Sequence, residues 1–153
     1  MIFHPTKLAA DYKFNYDSKF NEVTILTEDK LKLNGLLFKS DSAKGLIFYL
    51  HGNAGALNTW GTIAKPYTDL NYDVFILDYR GFGKSEGEIE NEKQFYTDVQ
   101  LAYDKLKTQY SENKIVIVGY SIGTGAASML ASKNDPAMLL LQAPYFSLED
   151  LTH

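Results

Sequence analysis

The sequence contains no cysteine, only three histidines and a single tryptophan. Without cysteine, the chain can form no disulfide bond, no thiolate metal site and no cysteine nucleophile. This absence does not fix the compartment, so a cytoplasmic location is only the default expectation. No apolar run approaches the ~18 residues that a membrane-spanning helix needs, and no signal peptide is visible. The sequence therefore predicts no membrane anchor within the chain.

Positive charge is also scarce relative to negative charge. The 15 Lys and Arg against 19 Asp and Glu give a net charge of -4. Such a balance gives no electrostatic reason to expect a nucleic-acid partner. A chain of 153 residues with 45% hydrophobic side chains is long enough for one domain with its own core. We expect residues 1–21 to form an irregular, aromatic-rich arm and residues 22–153 to form the core.

The hydrophobic pattern predicts an α/β fold. Apolar runs and alternating segments indicate six strands, at residues 22–26, 32–39, 45–50, 74–77, 115–118 and 137–141. The polar connection between the first two predicts an antiparallel hairpin. Helices are predicted around residues 60–70, at residues 92–110 and from residue 123 onward. Alternating strands and helices after a hairpin predict a mostly parallel sheet covered on both faces.

The first predicted helix contains a proline in its interior. Pro66 should kink or shorten this helix, because proline lacks a backbone N–H. The apolar residues at helical spacing that we expect to face the core are Trp60, Ile63, Tyr67 and Leu70.

The segment KIVIVGYSIGTGAASMLA, residues 114–131, carries the strongest functional signal. A short apolar strand leads into Gly119, Tyr120, Ser121, Ile122 and Gly123, and small residues then begin a helix. Strand, sharp turn and helix around G-x-S-x-G is the context of a nucleophile elbow. The serine must project from a strained turn whose neighbours leave room for substrate, which the two glycines provide.

Two more loops follow predicted strands. The third strand ends in His51, Gly52, Asn53, Ala54 and Gly55, and the fourth runs into DYRGFGKSEG at residues 78–87. In a parallel sheet, the carboxyl ends of the strands meet at one edge, where functional loops gather. The loops are therefore expected to lie beside the turn that holds the predicted nucleophile.

With these three motifs in this order, the chain resembles the α/β-hydrolase superfamily throughout its length. More narrowly, it resembles the branch of bud-emergence-protein-like and serine-aminopeptidase-like hydrolases, which includes esterases, thioesterases and protein depalmitoylases. The opening residues 2–5, IFHP, are similar to the segment that follows a membrane anchor in that branch. The anchor itself is absent from this sequence.

The resemblance implies a role for individual residues. Ser121 would be the nucleophile, and the backbone N–H groups of Asn53 and Ile122 would form the oxyanion hole. Tyr120 and Ile122 would help to shape the pocket. Asn53 would donate through its backbone N–H, so its loop needs a flexible backbone, which Gly52 and Gly55 provide. The substrate would be a small ester, thioester or other acyl compound, with no cofactor and no metal ion.

The remaining members of a catalytic triad are not recognisable in the sequence. The superfamily order is nucleophile, acid, histidine, yet after Ser121 the chain carries only His153, at its last position. His51 is expected to be a hydrogen-bonded loop residue rather than a base, and Glu149 and Asp150 to be helix-starting carboxylates. We therefore expect an N-terminal portion of a serine hydrolase, lacking the C-terminal strands of the fold and inactive alone.

Several alternatives remain open from the sequence. A non-catalytic hydrolase-like binding protein would fit the missing histidine, and a peptidase-type enzyme would cleave amides instead of esters. Gly83, Lys84 and Ser85 resemble the end of a phosphate-binding loop, but the glycine required at position 78 is an aspartate. Finally, the apolar sixth strand is expected to be an unprotected sheet edge through which the chain self-associates.

Overall fold

The computed structural model describes residues 3–142. Its strands are β1 His4–Pro5, β2 Phe20–Leu26, β3 Lys32–Phe38, β4 Gly45–Leu50, β5 Ala54–Gly55, β6 Tyr72–Leu77, β7 Ile115–Tyr120 and β8 Met138–Gln142. Its α-helices are α1 Leu57–Trp60, α2 Ala64–Asp69, α3 Glu92–Lys107 and α4 Gly123–Lys133. Short 3-10 turns lie at Gly61–Ile63 and Glu112–Lys114. All six strands predicted from the sequence are present, with ends shifted by a few residues.

The main sheet has six strands in the order β2-β3-β6-β4-β7-β8. β2 and β3 form the predicted antiparallel hairpin, and β3 also runs antiparallel to β6. β6, β4, β7 and β8 are mutually parallel. The carboxyl ends of β4, β6 and β7 therefore meet at one edge, so the three loops that carry the sequence motifs lie there together.

Alternation along β4 explains how the sheet is covered on both faces. All six residues of β4 are buried. Leu46, Phe48 and Leu50 point into the core beneath α3 and α4, and Ile47 and Tyr49 point into the core on the opposite face. The second core includes side chains from α1 and α2 and from the N-terminal arm. Such a strand needs a continuous apolar run, which is the signal that predicted it.

The predicted helix over residues 60–70 is interrupted. α1 and α2 are separated by the 3-10 turn Gly61–Ile63, and Pro66 is the third residue of α2. A proline in the first turn needs no intrahelical donor, so α2 accommodates Pro66, and the predicted helix is shortened as expected. The predicted burial of Leu70 is wrong: its side chain is 64% exposed beyond the end of α2.

The N-terminal arm has more structure than the sequence pattern predicts. β1 pairs in parallel with β5, forming a second small sheet. Phe14 is buried in the core beneath α1 and α2. β2 begins at Phe20, inside the segment assigned to the arm. The two-residue strands have no hydrophobic period, which explains why the sequence does not indicate them.

β8 lies at the edge of the sheet among the described residues, as expected. It pairs with β7 on one side, and most of its side chains are exposed, including Met138, Leu140 and Leu141. Between residues 3 and 142, the structure contains no helix that is both long and apolar enough to cross a bilayer.

Candidate active site

Ser121 lies at the sharp turn between β7 and α4. Its backbone φ of 53° is in the left-handed region, which a non-glycine residue seldom adopts. Its carbonyl accepts hydrogen bonds from Thr124 N at 3.0 Å and Thr124 Oγ1 at 2.7 Å, and its amide donates to Gln142 O at 2.9 Å. β7, β8 and the first turn of α4 therefore hold the strained conformation together.

The two glycines of the motif permit the close packing of this turn. A Cβ at Gly119 would lie 2.7 Å from Ala127 Cβ and 2.8 Å from the carbonyl oxygen of Gly123. A Cβ at Gly123 would collide with the carbonyl oxygen of Leu50 and lie 2.9 Å from that of His51. The start of α4 therefore packs directly against the end of β4, where the His51–Gly55 loop begins.

His51 is fully buried at the start of that loop. Its Nε2 lies 3.0 Å from Asp78 Oδ1, and its Nδ1 lies 2.7 Å from the carbonyl oxygen of Gly52. Both ring nitrogens therefore face oxygen acceptors, and neither is available to take a proton from Ser121. This arrangement agrees with the expected role of His51 as a hydrogen-bonded loop residue.

The bond from His51 to Gly52 also orients the next amide. In a trans peptide, the C=O and N–H groups point in opposite directions, and no cis peptide occurs in the described residues. The carbonyl of Gly52 points towards the His51 ring. The N–H of Asn53, which belongs to the same peptide plane, is therefore directed away from the buried ring.

Trp60 connects this loop to the serine turn. Its indole Nε1 donates to Ala54 O at 2.8 Å, and its ring stacks 5.3 Å from the His51 ring. The same ring meets Tyr120 edge-on at 5.5 Å between centroids. The sequence pattern predicts Trp60 only on a helix face, because this role depends on packing between distant segments.

Asp78 is the second residue that the sequence analysis did not assign to the site. It is fully buried, and its Oδ2 accepts from the backbone N–H of Leu57 at 3.0 Å. Its neighbour Tyr79 donates through its hydroxyl to His51 O at 2.7 Å. Burial raises the pKa of Tyr79 well above its usual value, so the phenol remains a donor.

The Gly83-Lys84-Ser85 sequence serves contacts within the chain. Ser85 Oγ donates to Asp78 O at 2.7 Å and accepts from Asn34 N at 2.8 Å. Lys84 Nζ lies 2.6 Å from Glu22 Oε1 and donates to Tyr12 O at 2.8 Å. Both groups that would hold a phosphate are therefore engaged elsewhere, which argues against nucleotide binding.

Arg80 forms a separate ionic cluster on the same loop. Its guanidinium donates to both carboxylate oxygens of Asp98 in α3, at 2.6 and 3.0 Å, and to both of Asp29, at 2.7 and 2.8 Å. The hydrogen bonds from Arg80 lower the pKa of Asp29 to about 2. The cluster ties the β2–β3 turn to α3.

The surroundings of Ser121 are asymmetric. Ile122 is only 5% exposed, whereas the ring of Tyr120 is 37% exposed beside Trp60.

Within residues 3–142, no hydrogen bond joins Ser121 to an imidazole, and no group of three or more acidic or histidine side chains is arranged to hold a metal ion. His153, Glu149 and Asp150 lie outside the described residues.

Comparisons with known proteins place this geometry in a family. The family described as serine aminopeptidase, S33, matches residues 41–152. Protein bem46 of Schizosaccharomyces pombe is 33% identical over 144 residues, covering 89% of this chain and 48% of bem46. Lysophosphatidylserine lipase ABHD12 of Macaca fascicularis is 32% identical over 116 residues, covering 71% of this chain and 29% of that protein.

Solved structures match over nearly the whole chain. A Pyrococcus furiosus esterase, Pf2001, superposes with a TM-score of 0.78 at 22% identity, covering 97% of this chain and 58% of the esterase. An α/β hydrolase from Vibrio vulnificus gives a TM-score of 0.70 at 26% identity, covering 82% of this chain and 45% of that protein. The predicted fold is confirmed by these similarities. The chain spans about half or less of the length of the curated relatives that it matches.

Proposed function

The chain belongs to the α/β-hydrolase superfamily, within the serine aminopeptidase, S33, family, and we propose that its chemistry is the hydrolysis of a carboxylic ester or thioester through Ser121. One observation carries the proposal: a non-glycine residue with φ of 53° at the turn between β7 and α4. Left-handed backbone at such a residue costs free energy and tends to persist at functional sites. The similarity of the fold to an esterase supports the same reaction class.

The reaction would begin with attack of Ser121 Oγ on the substrate carbonyl carbon. The C–O or C–S bond to the leaving group then breaks, giving an acyl-serine that water hydrolyses. The transient negative charge on the carbonyl oxygen would be stabilised by the backbone N–H groups of Ile122, at the start of α4, and Asn53. His51 and Asp78 would act as positioning residues, because the His51 ring holds the Gly52–Asn53 peptide plane.

A base is required to take the serine proton. Within residues 3–142, the histidines are His4, whose side chain is exposed, and His51, whose ring nitrogens are both engaged. The proposed reaction therefore needs a base from outside residues 3–142. Loss of the base costs on the order of 10⁶ in turnover in a well-studied serine protease.

The preference for esters over amides rests on the relatives. One relative is named a lipase and one structural neighbour an esterase, but the matching family is described as an aminopeptidase. A panel of ester, thioester and anilide substrates with the same acyl group separates these activities. Once a base is supplied from outside residues 3–142, we expect hydrolysis of the ester or thioester, with Ser121→Ala lowering turnover by up to about 10⁶-fold.

Ser128→Ala is the matched control, because Ser128 is an exposed serine on α4, the helix that follows the Ser121 turn. It should retain the wild-type rate. If only the anilide is cleaved, the assigned activity changes from esterase to peptidase. Equal rates for wild type and Ser121→Ala would reject the nucleophile and favour a non-catalytic binding protein, an alternative supported by the engaged His51.

A further inference from the structure

The first described residues of the chain cross the loop that holds Asn53. His4 pairs with Ala54 and Pro5 with Gly55 in the parallel β1–β5 sheet. The N–H of His4 donates to the carbonyl oxygen of Asn53 at 2.6 Å, and the N–H of Thr6 donates to that of Gly55 at 3.0 Å. The arm therefore supplies a donor to a carbonyl at each end of the short strand β5.

The same segment is bonded on its other side to the loop that follows β6. Gly83 N donates to Thr6 O at 2.7 Å, and Leu8 N donates to Gly83 O at 3.0 Å. The segment thus bridges two loops at the carboxyl edge of the sheet. Because Asp78 on the second loop also holds His51 on the first, both loops form one bonded unit.

Phe3 anchors the start of this segment in the core. Its ring contacts Tyr79, Phe82 and Phe95 edge-on, with centroids 6.3, 5.9 and 5.5 Å away. By contrast, the side chains of His4, Pro5 and Thr6 are exposed. Beyond Phe3, the attachment of residues 4–6 therefore depends on backbone hydrogen bonds.

We propose that residues 3–8 form a strap that positions the oxyanion-hole amide of Asn53, with the backbone N–H of His4 as the group that acts on the loop. The proposal rests on the function proposed above. The peptide before Asn53 is held through Gly52 O by the His51 ring, and the peptide after it is held through Asn53 O by His4. With both flanking peptides fixed, Asn53 has little freedom to rotate its N–H.

Such fixing matters because an oxyanion hole works through preorganised donors. A donor that must reorient during the reaction stabilises less of the developing charge. The loop contains Gly52 and Gly55, and Gly55 has a φ of 87°, so its backbone would be flexible without external bonds. The strap supplies those bonds from a distant part of the sequence.

The test compares His4→Pro with His4→Ala in the full 153-residue chain. Both variants remove the exposed imidazole, but only proline removes the N–H that reaches Asn53 O. Amide hydrogen exchange followed by NMR reports on the strap and loop directly. In His4→Pro, we expect the amides of Thr6 and residues 52–57 to exchange about 5- to 30-fold faster than in His4→Ala.

The second readout is the inactivation rate of Ser121 by a fluorophosphonate. We expect His4→Pro to lower the maximal inactivation rate about 5- to 30-fold relative to His4→Ala, with little change in the half-saturating probe concentration. Equal exchange and equal inactivation in the two variants would overturn the strap. Faster exchange without a slower inactivation rate would overturn its role in the oxyanion hole.

Phe3→Ala provides an independent variant if His4→Pro does not fold. It removes the aromatic anchor and leaves every strap N–H in place, so it should also accelerate exchange at Thr6 and residues 52–57. Unchanged exchange in Phe3→Ala would then reject the strap. If the wild-type chain does not react with the probe, the proposed function fails for the isolated chain, and the exchange experiment still decides whether the strap orders the loop.

Discussion

The imidazole of His51 and the carboxylate of Asp78 form a fully buried pair, with Nε2 and Oδ1 3.0 Å apart. The pair joins the loop after β4 to the loop after β6. The second carboxylate oxygen of Asp78 accepts from Leu57 N, at the start of α1. A single side chain therefore holds three segments that surround the serine turn.

Removing one acceptor from this pair should destabilise the fold. Asp78→Ala removes both carboxylate oxygens, so the buried N–H of Leu57 loses its acceptor, and a buried unpaired donor costs about 1–3 kcal/mol. Urea unfolding measures the change. The control is Asp69→Ala, which breaks an exposed ion pair with Lys65 and should cost less than about 1 kcal/mol. Equal losses in the two variants would contradict the assigned importance of the buried pair.

The close approach of α4 to β4 predicts that a methyl group at Gly123 destabilises the fold. Gly123→Ala places a methyl group against the carbonyl oxygens of Leu50 and His51 and should destabilise by about 1–3 kcal/mol. Ser128, in the same helix, has an exposed side chain. Ser128→Ala is therefore the control and should change the unfolding free energy by less than about 0.5 kcal/mol. Thermal unfolding measures the stability of both variants. A Gly123→Ala variant as stable as the wild type would contradict the close approach of α4 to β4.

The Arg80 cluster predicts a pH dependence in the acid range. Arg80 lowers the pKa of Asp29 from 3.8 to about 2 in the folded chain. The resulting stabilisation is fully present above about pH 4 and is lost as pH falls through about 2. In Asp29→Asn, unfolding free energy should therefore fall less steeply between pH 4 and 2 than in wild type.

The comparison variant for this experiment is Asp41→Asn, which removes the same charge from an exposed loop with no ion pair in residues 3–142. Its acid titration should follow wild type more closely than that of Asp29→Asn. If Asp29→Asn and wild type have parallel slopes from pH 4 to 2, the Arg80–Asp29 interaction does not stabilise the folded state.

The edge strand β8 predicts self-association, and we propose that two copies meet there. Met138, Leu140 and Leu141 are 53%, 41% and 42% exposed. An apolar strand at a sheet edge offers unpaired backbone groups to a second strand. Light scattering at high concentration should reveal dimers or larger species, and Leu140→Lys should shift them towards monomer. A monodisperse wild-type monomer would reject this interface.

The local parts of this molecule could be predicted from the sequence. The β4 strand has a continuous apolar run, and the turn at Ser121 has glycines two residues before and after it; both signals lie within a few adjacent positions. The fold class followed from the order of such segments. The burial of Leu70 was mispredicted because helical spacing does not reveal where a helix ends.

Long-range pairings were beyond the sequence patterns. His51 and Asp78 are 27 residues apart, and nothing in either loop indicates that their side chains meet. The bond between His4 N and Asn53 O joins backbone groups, so side-chain chemistry carries no signal for it. These contacts depend on the packed sheet, and they are the ones that position the candidate site.

The most direct test of the account is the intact mass of the purified chain after incubation with a fluorophosphonate probe. We predict one adduct per chain, mapped to Ser121, absent from Ser121→Ala and present in Ser128→Ala. This result would mean that nucleophile, oxyanion hole and a base are assembled together. An adduct that persists in Ser121→Ala would contradict the assignment of Ser121 as the nucleophile. A folded wild-type chain that acquires no adduct would contradict the assembly of nucleophile, oxyanion hole and base in this chain.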